Sequence, residues 1–252
     1  MLLAVFTVQL AQGQTDDIAA LKKKAEQGDA RAQWSLGVMY AYGRGVTKDE
    51  AEAVNWYRKA TEQGYANAQS SLGFMYDLGR GVPQDYKEAV KWYRKAAEQG
   101  LAGAQYKLGV KYANGQGVPQ DYKEAVKWYR KAAEQGDAMA QLQLGFMYGN
   151  GQGVTKDEAE AVNWSEAANW YRRAAEQGNA YAQSNLGFMY SNGYGVPKDE
   201  TAAYMWYLLA GGKGNENARK SIPIIEKTLT SEQRAEGQRM AKDWKPKKAQ
   251  GK

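Results

Sequence analysis

The chain repeats itself five times, and that period constrains its fold more than any other feature. The clearest copy is AEQGLAGAQYKLGVKYANGQGVPQDYKEAVKWYRKA, from Ala97 to Ala132. Copies begin at Ala25, Thr61, Ala97, Ala133 and Ala175, with 36 residues between starts except across the fourth copy, which runs 42. A period of this length belongs to tandem supersecondary units, each burying its apolar face against the next instead of around one globular centre.

Numbering the repeat from 1 at Ala97, positions 5 to 17 read as a first helix. Ala104, Leu108, Gly109 and Tyr112 hold positions 8, 12, 13 and 16, where every copy carries the same residue types. At 100° per residue they span an arc of about 140°, which is a stripe facing a core. Glycine inside a helix costs about 1 kcal/mol against alanine, so its return as Gly37, Gly73, Gly109, Gly145 and Gly187 predicts a crossing too close for a methyl group. A G-x-G-V turn follows, as in Gly43 to Val46 and Gly115 to Val118, with glycine supplying positive φ. Neither a Walker string nor a dinucleotide-binding string occurs, so this loop is a turn and not a phosphate cradle.

A second helix opens on Asp85/Glu88 and Asp121/Glu124, the spacing of a reciprocal capping box. Its apolar residues Ala125, Trp128, Tyr129 and Ala132 make one narrow face. Lys127, Arg130 and Lys131 are expected opposite it, with Arg130 four residues before Glu134 and able to pair along the surface. Gly136 is suited to end the helix.

The string A-x-A-Q-x-x-L-G-x-M-Y, followed by G-x-G-V-x-x-D-x-x-E-A-V-x-W-Y-R-K-A-A-E-Q-G, resembles the Sel-one-like repeat, a relative of the tetratricopeptide repeat, over residues 25–210. The resemblance implies an all-α fold, a right-handed α-solenoid (superhelix) of five antiparallel helix-pair repeats, and a scaffold or adaptor role in assembling protein complexes. Departures are few: Lys111 replaces the methionine of position 15, and Leu208 and Leu209 replace an Arg-Lys pair. A cysteine-rich branch of the family, linked to β-lactam binding or hydrolysis, makes an enzyme the rival reading.

Against that rival, the chain has no cysteine and no histidine, which excludes Ser-His-Asp and Cys-His machinery, His or Cys metal sites and disulfides. It has no S-x-x-K string either, and its recurring carboxylates are the capping ones. A non-enzyme with no cofactor and no metal is therefore expected. Residues 1–13, within MLLAVFTVQLAQGQ, read as a signal peptide, which implies export to the periplasm or medium, with a cytoplasmic location as the alternative. That run is too short to span a membrane. Residues 14–24 are expected to form an N-terminal capping helix with Ile18, Ala19 and Leu21 inward, residues 211–244 C-terminal capping helices, and residues 245–252 a disordered basic tail. Of the net charge of +6, Lys242 to Lys252 contributes +4 (five Lys, one Asp), so the repeats are nearly neutral and specific nucleic-acid binding is not expected.

The face of the first helix opposite its core stripe varies most between copies. Position 7 reads Arg31, Asn67, Gly103, Met139, Tyr181; position 10 reads Trp34, Ser70, Tyr106, Leu142, Ser184; position 14 reads Val38, Phe74, Val110, Phe146, Phe188. In the solenoid that the resemblance implies, first helices line the concave groove, so these residues would form its floor and capture a protein or peptide in a monomer. A glycan or cell-wall ligand is a further alternative for the aromatic residues, and position 14 can equally serve as packing between repeats. Met205, Leu208 and Leu209 predict that the C-terminal helices fold onto the fifth repeat. In the fourth repeat EAVNWS (Glu160 to Ser165) precedes EAANWY (Glu166 to Tyr171), and the second copy is in phase with the other repeats. Trp170 should then be buried, with Trp164 more exposed near an edge.

Overall fold

The computed structural model describes residues 17–154 and 160–247, with side chains for 17–154 and 164–247. Two compact units divide the chain after Gln120. The first contains α1 (17–26), α2 (Ala30–Tyr42), α3 (Glu50–Glu62), α4 (Ala66–Leu78), α5 (Tyr86–Glu98) and α6 (Ala102–Asn114). The second contains α7 (Tyr122–Glu134), α8 (Ala138–Gly149), α9 (Glu160–Glu176), α10 (Ala180–Asn192), α11 (Glu200–Gly212), α12 (Glu216–Ile225) and α13 (Ser231–Asp243). No strand occurs among the described residues, and from α2 to α6 and from α7 to α12 each helix packs on its neighbour in sequence. This is the all-α helix-pair repeat architecture. The signal-peptide reading of residues 1–13 and the end of the tail, 248–252, lie outside the described residues.

Local chemistry sets the helix ends. Asp49, Asp85, Asp121 and Asp199 each accept a hydrogen bond from an N–H in the first turn of the following helix. The expected reciprocal box is only half made: Glu88 and Glu124 turn outward to Lys91 and Lys127, both at 3.0 Å, because an exposed lysine one turn on competes for the carboxylate. Thr230 and Gln233 at the start of α13 do form the full box. The second glycine of the last four turns has a stronger requirement: Gly81, Gly117, Gly153 and Gly195 have positive φ, and a Cβ there would strike the backbone carbonyl of Glu50, Tyr86, Tyr122 and Trp164 respectively.

The core stripe is buried at Ala104, Leu108 and Gly109 and their equivalents. A Cβ at Gly73 would lie 2.9 Å from the Tyr93 ring, and one at Gly145 2.5 Å from the Tyr171 ring, so the helical glycines exist to seat the second helix's tyrosine. The tyrosines of position 16 correct the expectation. Tyr40, Tyr76, Tyr112 and Tyr190 are only half-buried, and just Tyr148 is buried. Their hydroxyls reach the edge, where Arg58 donates to Tyr76 (3.1 Å), Arg94 to Tyr112 (2.6 Å), Arg130 to Tyr148 and Arg172 to Tyr190 (3.1 Å). Arg130 therefore serves the next helix and not Glu134. Nor does Lys131 point away from the apolar face: its ammonium covers the Trp128 ring at 4.4 Å, as Lys59 covers Trp56 at 3.9 Å and Arg173 covers Trp170 at 4.7 Å.

A ladder of glutamines runs beneath these contacts. Gln33, Gln105, Gln141 and Gln183 donate to the carbonyls of Ala25, Ala97, Ala133 and Ala175, each at 3.1 Å. Gln63, Gln99 and Gln177 donate in turn to the amide oxygens of Gln33, Gln69 and Gln141 at 2.8 Å. At the C-terminal end Lys213 replaces the donor glutamine and bonds Gly178 O instead, which leaves the buried Gln183 Oε1 without a hydrogen bond.

In the fourth repeat, which has six extra residues, α9 is 17 residues long against 13 in the equivalent α7, four residues more. Trp170 is buried at 8% exposure and Trp164 is half-buried. Around α11, Ala203, Tyr204, Tyr207 and Ala210 form a cluster with Ala218, Ile225 and Leu229, and Leu208 packs against it. Met205 is buried, whereas Leu209 is only half-buried. Pro223 stands inside α12, two residues before its end. At the N-terminus Ile18 and Leu21 are half-buried as expected, but Ala19 is exposed because it falls on the solvent side of α1. The beginning of the basic tail is also held: Trp244 meets Trp206 edge-on at 6.3 Å, and Lys247 donates its N–H to Glu176 O (2.8 Å) and its ammonium to the Glu176 carboxylate (3.0 Å).

Candidate binding site

In the first unit, the variable face of α2 and α4 opens into a cavity of about 440 Å³. Position 10 supplies Trp34 and Ser70, and position 14 supplies Val38 and Phe74, so four of the residues chosen from sequence meet around one space. Trp34 is half-buried and fixed: its indole N–H donates to Ser71 Oγ at 3.0 Å, and its ring lies 5.9 Å from that of Tyr65. Tyr57 and Tyr93 close the back. Burial pushes the Tyr57 phenol up to about 12, nearby Tyr42 adds to the rise, and a hydrogen bond with Ser71 opposes it. Burial also raises the Tyr93 phenol, helped by Asp77, to which its hydroxyl donates at 3.3 Å. Arg31, Asn67, Tyr106 and Val110 lie outside this lining; Arg31 is exposed and the other three are half-buried.

The cavity mouth carries charge that helical phase alone does not reveal. The Arg80 guanidinium lies over the Phe74 ring at 5.8 Å, and the Lys107 ammonium approaches the same ring at 6.0 Å. Glu50 also lines the space and is paired with Lys48 at 2.8 Å. Behind Tyr93, Lys111 and Asp77 form a buried ion pair, and Lys111 also donates to Gln116 Oε1 at 2.9 Å. Two departures from the repeat pattern in adjacent copies are thus one contact.

In the second unit the same positions give a different surface. Met139, Phe146, Tyr181 and Phe188 are exposed by 43%, 49%, 68% and 49%. Leu142 is half-buried. Ser184 is buried at 7% and does not belong to this surface; its side chain is too short to reach out from a position where Trp34 and Leu142 do. Tyr194, which the sequence-based choice of positions leaves out, stacks on Trp164 at 5.0 Å and 24° and touches Phe188 at 5.8 Å. Position 20 holds arginine or glutamine in the other copies, and that exchange for tyrosine is the signal that points to it.

Tandem helix pairs with a variable, partly apolar first-helix face define an α-solenoid repeat protein. The Sel1 repeat model matches residues 30–65, 66–101, 102–137, 138–179 and 180–215, and the chain belongs to the Sel1 repeat family. Repeats of this family typically act as protein-interaction scaffolds. The fold is similar to that of a Sel1 repeat protein from Oxalobacter formigenes (TM-score 0.77, 37% identity, 96% of this chain and 100% of that one). It is also similar to c5321, described as a protective antigen of uropathogenic Escherichia coli with an SLR fold (TM-score 0.79, 42% identity, 87% of this chain and 48% of that one). A 42-residue stretch is 46% identical to EsiB of Escherichia coli O6:H1, a secretory immunoglobulin A-binding protein, covering 17% of this chain and 9% of that protein. The chain thus matches about half of c5321 and a small part of EsiB. No helix among the described residues is long and apolar enough to cross a membrane.

Proposed function

We propose that this protein is a non-catalytic scaffold that holds a segment of a partner protein on the variable face of its first helices. The observation that carries this reading is the cavity bounded by Trp34, Val38, Ser70 and Phe74, where a rigid frame of paired helices surrounds half-buried apolar side chains. Such pockets provide the anchoring points of protein interfaces. The apolar residues Met139, Leu142, Phe146, Tyr181 and Phe188 extend the same function to the second unit.

Export fits this role, with residues 1–13 as the address, and N-terminal sequencing of the natively expressed protein tests it: a start near Gln14 supports export, and intact Met1 from the cytosol opposes it. The immunoglobulin named for EsiB belongs to that protein; a 42-residue likeness supports only the general reading that a protein is bound. The scaffold role is tested with Trp34→Ala and Phe74→Ala. Each should weaken a partner at least tenfold while leaving the helical circular dichroism unchanged; affinity equal to that of the parent in both variants would refute the site.

A further inference from the structure

Resting on the reading that the first-helix face holds a protein segment, we infer that the cavity of the first unit selects an acidic segment that inserts one bulky apolar side chain. The floor is apolar, formed by Val38, Phe74 and Met75, while Arg80 and Lys107 stand at the mouth with their charged ends directed to the Phe74 ring. Glu50 is the one carboxylate in the lining and is already neutralised by Lys48. Among the described residues neither Arg80 nor Lys107 has a carboxylate within ion-pair distance.

The first helices of this unit carry the same sign. Charged residues of α2, α4 and α6 are Arg31, Asp77, Lys107 and Lys111; Asp77 and Lys111 neutralise each other, which leaves two cations and no acid. Arg44 adds a third cation just past α2, over the Tyr42 ring at 5.4 Å, and Tyr42 lines the cavity. By contrast α8 and α10 carry no charged residue at all, so the positive charge belongs to the first helices of the first unit and is not shared by the first helices α8 and α10. An apolar side chain seated on Phe74 brings its flanking residues to Arg80 and Lys107. Asp or Glu there gains charge-assisted hydrogen bonds, whereas Lys or Arg meets like charge. The volume suits one large side chain with adjoining backbone.

The test titrates the full chain, by fluorescence anisotropy, with three labelled 12-residue peptides that share a central Trp and carry flanks of Asp/Glu, Ser or Lys, and with a 12-nucleotide oligothymidine. Expected is binding of the acidic peptide at least tenfold tighter than the serine peptide, no binding of the lysine peptide, and weakening with added salt. Arg80→Glu together with Lys107→Glu should abolish the preference; Lys107 is half-buried and Arg80 exposed, so this variant should keep its fold, which its thermal midpoint checks. Equal binding of acidic and serine peptides, lost in Trp34→Ala, would overturn the acidic selection and leave the scaffold reading standing. Failure of every peptide to bind, or binding indifferent to Trp34→Ala, would overturn both. Tighter binding of the oligonucleotide than of the acidic peptide would replace the acidic segment by a nucleic acid.

Discussion

Lys111 and Asp77 are buried against each other, with only 5% and 11% of their side chains exposed, in a protein whose other repeats place methionine at the lysine's position. In the pair of repeats before them the same two places hold Ala41 and Met75, which pack in one apolar cluster. Lys111→Met alone would leave Asp77 buried without a counter-charge and should cost about 3–5 kcal/mol. The double variant Lys111→Met, Asp77→Ala rebuilds the apolar version and should return to within about 1 kcal/mol of the parent or exceed it. Urea midpoints of the two single and one double variants check this; simple additivity would rule out the coupling.

The pair also marks what can be seen in the sequence. Helix positions, turn glycines and the Ala-Leu-Gly stripe follow from spacings within one repeat, where a 3.6-residue period acts locally. Contacts across repeats depend on how copies overlay, and there spacing misleads: Arg130 stands one turn from Glu134, although its partner is Tyr148 in the next repeat. The glutamine ladder is equally hidden from spacing, though both glutamines recur in nearly every copy and a recurring buried amide requires a recurring partner. Of the candidate site, Trp34, Val38, Ser70 and Phe74 are legible because helical phase identifies a face. Arg80 and Lys107 are not, because Arg80 lies beyond the helix in the turn and Lys107 comes from the following repeat.

Alkaline pH should unfold the protein through its buried tyrosines. Tyr57 and Tyr171 are raised from 10.0 to about 12 by burial, so protonated phenol is favoured in the folded state. Their contribution is complete below pH 10 and is lost as pH rises through about 12. Thermal midpoints should stay flat below pH 10 and fall between 10 and 12, and Tyr171→Phe should make that fall shallower.

Two glycines with positive φ separate backbone strain from collision. Around Gly64 (φ +76) nothing lies within 4 Å of the place a Cβ would occupy, so Gly64→Ala should cost only the left-handed penalty of about 1–2 kcal/mol. Gly81 (φ +66) faces the Glu50 carbonyl, and Gly81→Ala must move a helix as well. Denaturation midpoints should rank Gly81→Ala well below Gly64→Ala; equal midpoints would show that the turn yields freely.

The duplicated tryptophans should differ in the same assay. Trp170→Ala deletes a buried ring and should cost roughly 3–5 kcal/mol. Trp164→Ala loses a half-buried ring stacked on Tyr194, a contact worth about 0.5–1.5 kcal/mol beyond its area. Equal losses would mean that the copies are assigned in the wrong order.

Tyr204 joins both C-terminal helices to α11. Its hydroxyl donates to Glu226 at 2.6 Å and accepts from Gln238 at 3.3 Å, and a Cβ on Gly237 would come within 2.7 Å of its ring. Tyr204→Ala should therefore speed amide hydrogen exchange across 216–243 while α7 and α8 keep their protection. Unchanged exchange there would mean that the C-terminal helices hold without this anchor.

The most direct measurement of the scaffold role is site-specific photo-crosslinking to a purified partner, with benzoylphenylalanine placed at Ser70 inside the cavity or at Lys95 on an exposed second-helix surface. Binding on the first-helix face requires efficient crosslinking from position 70 and little from position 95. Crosslinking from position 95 with none from position 70 would contradict it.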